Sequence, residues 1–304
     1  MRGVPSFNFM RWSKTTVALA AVLLVLSLFS MLFKGFNLGI DFTGGLLLER
    51  HLGRAATAAE VREALQAPEL ADLNLSGAII QPLDDPRDVL IRFPSQSSAD
   101  AARVDEVLAR VFGSVDARRT EFVGPVIGAE LVRNALWALA LSAAGMLLYL
   151  WFRFEVRFSV VAIATVLHNV LVVLGVVSFF SFEINSPFIA AILTVLGYSI
   201  NDTIVIFDRI REHLQVRQER PSAELVNRSL NETLARTINT GLTTLLVVVS
   251  LLVFGGETIR ELMITLAVGI VVGAFSSVFV ASPLWLWWRL RDAAKPGAGA
   301  APAR

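Results

Sequence analysis

The chain has 304 residues, 55% hydrophobic and 17% charged, where soluble domains carry about a quarter charged, and its mean hydropathy is +0.62. A net charge of +1 gives no general attraction for nucleic acid, and the absence of cysteine excludes disulfides, thiolate metal sites and a cysteine nucleophile. Three histidines, none with a second at ligand spacing, argue against a zinc enzyme; no phosphate loop or activated nucleophile suggests another enzyme class, so no cofactor or metal is expected.

In chain order, six apolar runs reach or approach the roughly 20 residues that a bilayer-spanning helix needs. The first, 15–33, follows Arg2, Arg11 and Lys14. It is longer than a signal-peptide core and no small-x-small cleavage site follows, so it reads as an uncleaved anchor. Residues 35–130 are the one part able to form a soluble domain. There "GGLLLERHL", "SGAIIQPL", "DVLIRF" and "RRTEFVG" read as strands. "TAAEVREALQ" is a helix with a Thr cap and Glu60 three residues on, and "SADAARVDEVLARVF" places Ala101, Val104, Leu108 and Val111 on one helical face. The order strand, helix, strand, strand, helix, strand is that of an α+β ferredoxin-like domain, two helices on one face of an antiparallel sheet. The same arrangement serves many functions and names none.

The remaining spans fall at 134–152, 158–180, 188–207, 238–254 and 263–288. Lys and Arg crowd alternate connections: Arg153 and Arg157, then Arg209, Arg211, Arg217, Arg220 and Arg228, then Arg289, Arg291 and Lys295. "SFEINSPF" has neither, and "GGETIRE" has Arg260 alone. The positive-inside rule then puts both termini in the cytoplasm and the soluble domain outside. The expected organisation is an N-terminus and first helix over 1–34, an extracytoplasmic domain over 35–130, five further helices over 131–290, and a disordered cytoplasmic tail over 291–304.

Asn201 and Asp202 interrupt the fourth span, with Asp202 about 6 Å to the cytoplasmic side of its centre at 1.5 Å per residue. An aspartate at mid-span costs about 2.5 to 3.5 kcal/mol on insertion scales, so it should face protein, water or a cation, or be protonated. Such a carboxyl can carry a proton; it can also be fixed in a helix contact. Arg236, at the cytoplasmic end of the fifth span, is its best partner, because consecutive spans joined by a short loop pack antiparallel. Snorkelling to the interface would explain Arg236 equally well. Thr237, Asn239, Thr240, Thr243 and Thr244 make the same end polar, as relay groups or as helix glue. His168 and Asn169 in the third span stand between the same two readings. Gly197, Gly241, Gly269 and Gly273 permit close helix approach. Gly39, Asp41, Gly44 and Gly45 in "GIDFTGG" suggest a tight turn that fits no nucleotide fingerprint, and Gly124, Pro125 and Gly128 in "VGPVIG" suggest a hinge.

"GIDFTGG" at 39–45, "VGPVIG" at 123–128, "YSINDTIVIFDRIRE" at 198–212 and "ARTINTGLTTLL" at 235–246 occur in the order seen in SecF, and the chain resembles that family over essentially its whole length. The resemblance implies a six-helix membrane protein, not an enzyme, in the bacterial cytoplasmic membrane. It implies a partner, SecD, supplying a second six-helix half, as in the related resistance–nodulation–division transporters. Work with the SecYEG channel, YajC and a translocating preprotein is implied too, driven by the proton motive force after SecA has acted. Asp202 matches the family's proton-linked aspartate and Arg236 its arginine partner, with His168, Asn169, Asn201 and Thr240 as further relay or helix-contact groups. One position departs: Asn169 stands where the family's His-Asp pair would place a carboxylate. The alternatives are half of a proton-driven efflux transporter, and a scaffold that stabilises SecD and the channel.

Overall fold

Each apolar run satisfies its backbone amides internally by forming a helix, as a low-polarity surrounding demands. The structure is a computed structural model and describes residues 7–293; Arg2 and the tail from residue 294, including Lys295, lie outside the described residues. Six helical segments are long and apolar enough to cross a membrane: Phe9–Lys34, Pro125–Arg153, Val156–Phe180, Ser186–Gln215, Ala223–Phe254 and Ile259–Asp292. The chain forms two compact units, one of the helices after Leu139 with the N-terminal helix, the other of Leu38–Ala138 with Ile184–Ser186.

The soluble unit carries strands β1 (Gly45–Leu52), β2 (Ile79–Pro82), β3 (Asp88–Phe93) and β4 (Val115–Val123) in the sheet order β2-β3-β1-β4, every neighbouring pair antiparallel. Leu46, Leu48, Val89, Ile91 and Phe93 alternate onto one face and are buried against helices α2 (Ala58–Ala64) and α3 (Asp100–Phe112). Thr57 and Glu60 form the reciprocal capping box expected from sequence. On α3, Ala101, Val104 and Leu108 are buried as expected, but Val111 is 47% exposed and Phe112 is buried in its place. From Leu108 the i+4 position continues the inward face better than i+3, and the larger ring takes it. Arg50 points into this core where β1 bulges between Glu49 and Arg50. Its Nε and Nη2 donate to Asp105 at 2.6 and 3.1 Å, and its Nη1 to the Arg119 carbonyl at 2.7 Å, so the buried charge is paired.

The transmembrane helices are α1 (Ser13–Lys34), α4 (Pro125–Arg153), α5 (Val156–Phe180), α6 (Ser186–Gln215), α7 (Ala223–Phe254), and a last span of α8 (Glu257–Ser276), a π segment at Ser277–Ala281 and α9 (Ser282–Ala293). Helices α4 and α7 start about nine and fifteen residues before the expected spans, because polar sequence continues each helix beyond its apolar run. Pro125 sits at the first helical position of α4, where its missing N–H is no loss, so "VGPVIG" leads into the start of a helix.

Small residues set the closest helix approaches. Gly175 of α5 faces Ser27 of α1, Gly269 faces Val195 of α6, and a Cβ on Gly273 would lie 3.3 Å from that of Ser199. Among the described residues, no atoms lie within 4 Å of the Cβ directions of Gly197 and Gly241. At one end of the bundle the Phe158 ring stacks on Trp285 at 4.8 Å and meets Phe207 at 5.0 Å. Nearby, the fully buried His213 lies between Glu232 (2.9 Å) and Glu219 (3.3 Å), while Arg209 pairs with Glu232 and Arg228 with Glu219. This network ties the α6–α7 connection back to the helices.

Gly45 has φ +120°, and a Cβ there would run into the Phe93 carbonyl oxygen. Gly45→Ala should therefore destabilise the protein by about 1–3 kcal/mol, through a disfavoured backbone and a clash. Gly175→Val should do so by a similar roughly 1–3 kcal/mol of overpacking. Thermal unfolding of the detergent-solubilised protein checks both, with Gly145→Ala as the control, since nothing lies within 4 Å of its Cβ direction.

Candidate functional site

The polar residues of α6 are divided between two faces. Ser199 and Thr203, one turn apart, point inward and are 2% and 0% exposed, and Asp202 lies beside them at 9%. Asn201 and Tyr198 are exposed on the chain's outer side. The inward groups join a buried hydrogen-bonded belt. Asn169 Nδ2 donates to Ser199 Oγ at 2.5 Å, and the Thr203 and Ser277 hydroxyls lie 2.8 Å apart. His168 Nε2 donates to the Ala20 carbonyl at 3.1 Å, while Nδ1 lies 3.1 Å from Asn169 Oδ1 and 3.5 Å from Ser276 Oγ. Helices α1, α5, α6 and α8 are thereby stitched at one level. An ionised carboxylate at 169 could only accept, so the Ser199 hydroxyl would have to donate to it; the asparagine instead donates to Ser199 and leaves that hydroxyl proton free for another acceptor.

The last span widens into a π turn where this belt meets it. Ser277 Oγ donates to the Gly273 carbonyl at 2.9 Å, and Ser282 Oγ returns to the Ser277 carbonyl at 3.2 Å, so side-chain hydroxyls serve carbonyls at the irregular turn. Ser199, Thr203, Ser276 and Ser277 were not singled out from sequence. Serine and threonine are common in membrane helices, and a one-residue π insertion leaves no compositional mark.

Asp202 stands apart from the belt. Among the described residues it makes no hydrogen bond or ion pair, although the Arg236 guanidinium is near enough for its charge to act on the carboxylate. Arg236, the partner expected from sequence, makes no hydrogen bond or ion pair with it among the described residues and lies on an exposed face of α7, with Asn239 and Thr243. Thr243 bonds back to the Asn239 carbonyl at 2.8 Å, Thr240 is half-buried, and Thr237 is buried with a hydroxyl that has no partner among the described residues. A charged and amide-bearing face on a helix of this hydropathy cannot rest against lipid at low cost.

The two glycine motifs meet at the other end of α6. Residues Ile40–Thr43 form one helical turn closed by Gly44 at φ +70°. A Cβ on Gly44 would lie 3.3 Å from the Val123 carbonyl oxygen, and one on Gly128 would lie 3.4 Å from Gly44 N and 3.6 Å from the Asp41 carbonyl oxygen. "GIDFTGG" thus sits directly on the start of α4. Gly39 N donates to the Ile184 carbonyl at 2.8 Å, and Asp41 Oδ2 accepts from Ser186 N, the first residue of α6, at 2.7 Å. Gly39, Asp41, Gly44, Gly45, Gly124, Pro125 and Gly128, named separately from sequence, form one joint.

A third cluster lies at the edge of the sheet, where His51 opposes Asp88 across the β1–β3 register. His51 Nδ1 is 2.5 Å from Asp88 Oδ1, and Asp85 completes a group whose ligand-type atoms lie within 4.8 Å of one another. Asp85 is already engaged: the Arg87 side chain, and then its backbone N–H, hold the carboxyl down at about 2. The cluster is accordingly an ion-pair network of the hairpin.

Comparison with known proteins gives the same placement. The family model described as "Protein export membrane protein SecD/SecF, C-terminal" matches residues 103–291, and that described as "SecD/SecF GG Motif" matches residues 29–49. Protein translocase subunit SecF of Desulfurispirillum indicum is 42% identical over 293 residues, covering 93% of this chain and 92% of that protein. SecF of Haemophilus influenzae is 40% identical over 279 residues, covering 91% and 84%. The crystal structure of SecDF from Thermus thermophilus, titled a translocon-associated membrane protein, aligns with a TM-score of 0.84 at 39% identity and covers 94% of this chain. This chain spans 39% of the length of that SecDF chain. With motif, sequence and fold in agreement over nearly all of its length, the chain belongs to the SecF family of protein-translocase subunits.

Proposed function

We propose that this SecF-family chain works with SecD in the bacterial cytoplasmic membrane, using the proton motive force to drive or complete export of polypeptides through SecYEG after SecA has acted. Asp202 is the proton-carrying group and Arg236 its charged partner. The observation that carries this reading is the isolation of Asp202: a 9%-exposed carboxylate in a membrane helix, with the Arg236 charge near and no direct bond among the described residues. A carboxylate locked in an ion pair would resist protonation, whereas one lacking direct partners can change state as its surroundings change. The belt of Asn169, Ser199, Thr203 and His168 is a helix contact on this reading, because its groups bond across to neighbouring helices. Asn201 and Thr240 belong to the polar face offered to SecD.

The soluble unit lies outside the membrane, is ferredoxin-like, and touches the emerging preprotein; its strand order and antiparallel pairing support the fold assignment. Both chain ends lie in the cytoplasm, and the clustered arginines of the α6–α7 connection support that orientation. YajC and membrane lipid complete the surroundings. A proton crossing inward releases about 2.3 kcal/mol per 100 mV, and about 1.4 kcal/mol shifts a two-state helix arrangement tenfold, so one proton suffices to bias the bundle.

Asp202→Asn, assembled with SecD in vesicles, should lose the gradient-dependent part of preprotein export by tenfold or more and lose proton conductance, with ATP-driven entry unchanged. Arg236→Ala should reduce the same export less completely. Normal export and conductance in Asp202→Asn would refute the proposal.

A further inference from the structure

The joint at 39–45 contains a contact between parts of the chain far apart in sequence. Asp41 precedes Ser186 by 145 residues, yet its Oδ2 accepts from the Ser186 amide at 2.7 Å. That amide begins the helix that carries Asp202. Ser186 is followed by Pro187, which has no N–H, so Ser186 offers the first donor of this helix end and Asp41 satisfies it. The acid also lies at the positive end of the helix dipole. On its other side the same turn leads into β1 of the soluble unit and packs against Gly128 in the first turn of α4.

We propose that Asp41 is a positioning residue that transmits movement of α6 to the soluble unit, by holding the start of that helix to the turn that opens β1. The inference rests on the proton-driven reading above. A helix is stiff along its axis, so a change at Asp202 reaches Ser186, sixteen residues away, as displacement or rotation of the helix end. The Asp41 cap and the Gly39–Ile184 bond convert that displacement into force on the turn. The glycines follow from the same requirement. Gly44 and Gly45 take φ +70° and +120°, and Gly128 leaves room for the turn to sit on α4, so the lever seats against both helix ends. Without the cap, the Gly39–Ile184 bond would still join the turn to the residues just before α6, but only through Asn185 and so with more give.

The test separates coupling from folding and from proton passage. Asp41→Ala removes the acceptor, Asp41→Asn keeps an oxygen that caps helices nearly as well, and Ser186→Pro removes the donor from the opposite side at a position where proline is tolerated. Each is assembled with SecD in vesicles, and gradient-dependent export and proton conductance are measured together. Asp41→Ala and Ser186→Pro should both lower export roughly fivefold or more while conductance stays within about twofold, so that export per proton falls. Asp41→Asn should recover most of it. Unchanged export in Asp41→Ala would overturn the proposal. So would equal loss of export and conductance, or loss of assembly with SecD, in all three variants, since that marks a purely structural contact. Asp202→Asn measured beside them reports on the proton reading alone: normal conductance and export there would remove that reading, while the ranking of the Asp41 variants in export would still decide whether the cap matters.

Discussion

A polar group inside a membrane has no water to fall back on, and most of this structure follows from that constraint. Backbone amides are satisfied by forming long helices. Polar side chains of α5, α6 and the last span form a belt in which His168, Asn169, Ser199, Thr203, Ser276 and Ser277 lie against one another or bond to nearby carbonyls, that of Ala20 in α1 among them. Even the π turn at Ser277–Ala281 is bracketed by the Ser277 and Ser282 hydroxyls. Against that background Asp202 is an exception, buried and without a direct partner among the described residues. An exception of this kind is costly to keep, and that cost is the ground on which a change of protonation state is proposed for it.

The exposed face of α7 has a related meaning. Arg236, Asn239 and Thr243 would be as poorly placed against lipid as Asp202 is in the core. A second helical half covering this face would remove it from lipid. The chain's family is that of SecD–SecF pairs, so a second half to cover this face is available.

Much of the fold was legible in the sequence because its signals are local. Hydropathy located all six spans, alternation located the strands, and the Thr57–Glu60 box was read from two residues three apart. Helix ends were less legible. Helices α4 and α7 run on into polar sequence, where composition no longer distinguishes a helix from a loop, and Phe112 displaced Val111 because one helical turn offers two near-equivalent positions. At the candidate site, Asp202 was conspicuous because ionisable groups are rare at that depth. The Asp41–Ser186 contact was not, since the local sequence Asn185-Ser186-Pro187 already resembles a self-sufficient helix start and nothing in it points back to residue 41. Likewise "GIDFTGG" and "VGPVIG" read as two separate turns; that Gly128 seats against Gly44 is a fact of three dimensions alone.

The proposed function turns on Asp202 exchanging a proton. Infrared difference spectroscopy of the complex with SecD, comparing membranes with and without an imposed proton gradient, observes carboxyl protonation directly. The account predicts a carboxylic C=O band that responds to the gradient and vanishes in Asp202→Asn, with the amide signature of the helices otherwise retained. A gradient-responsive band that persists unchanged in Asp202→Asn would contradict it.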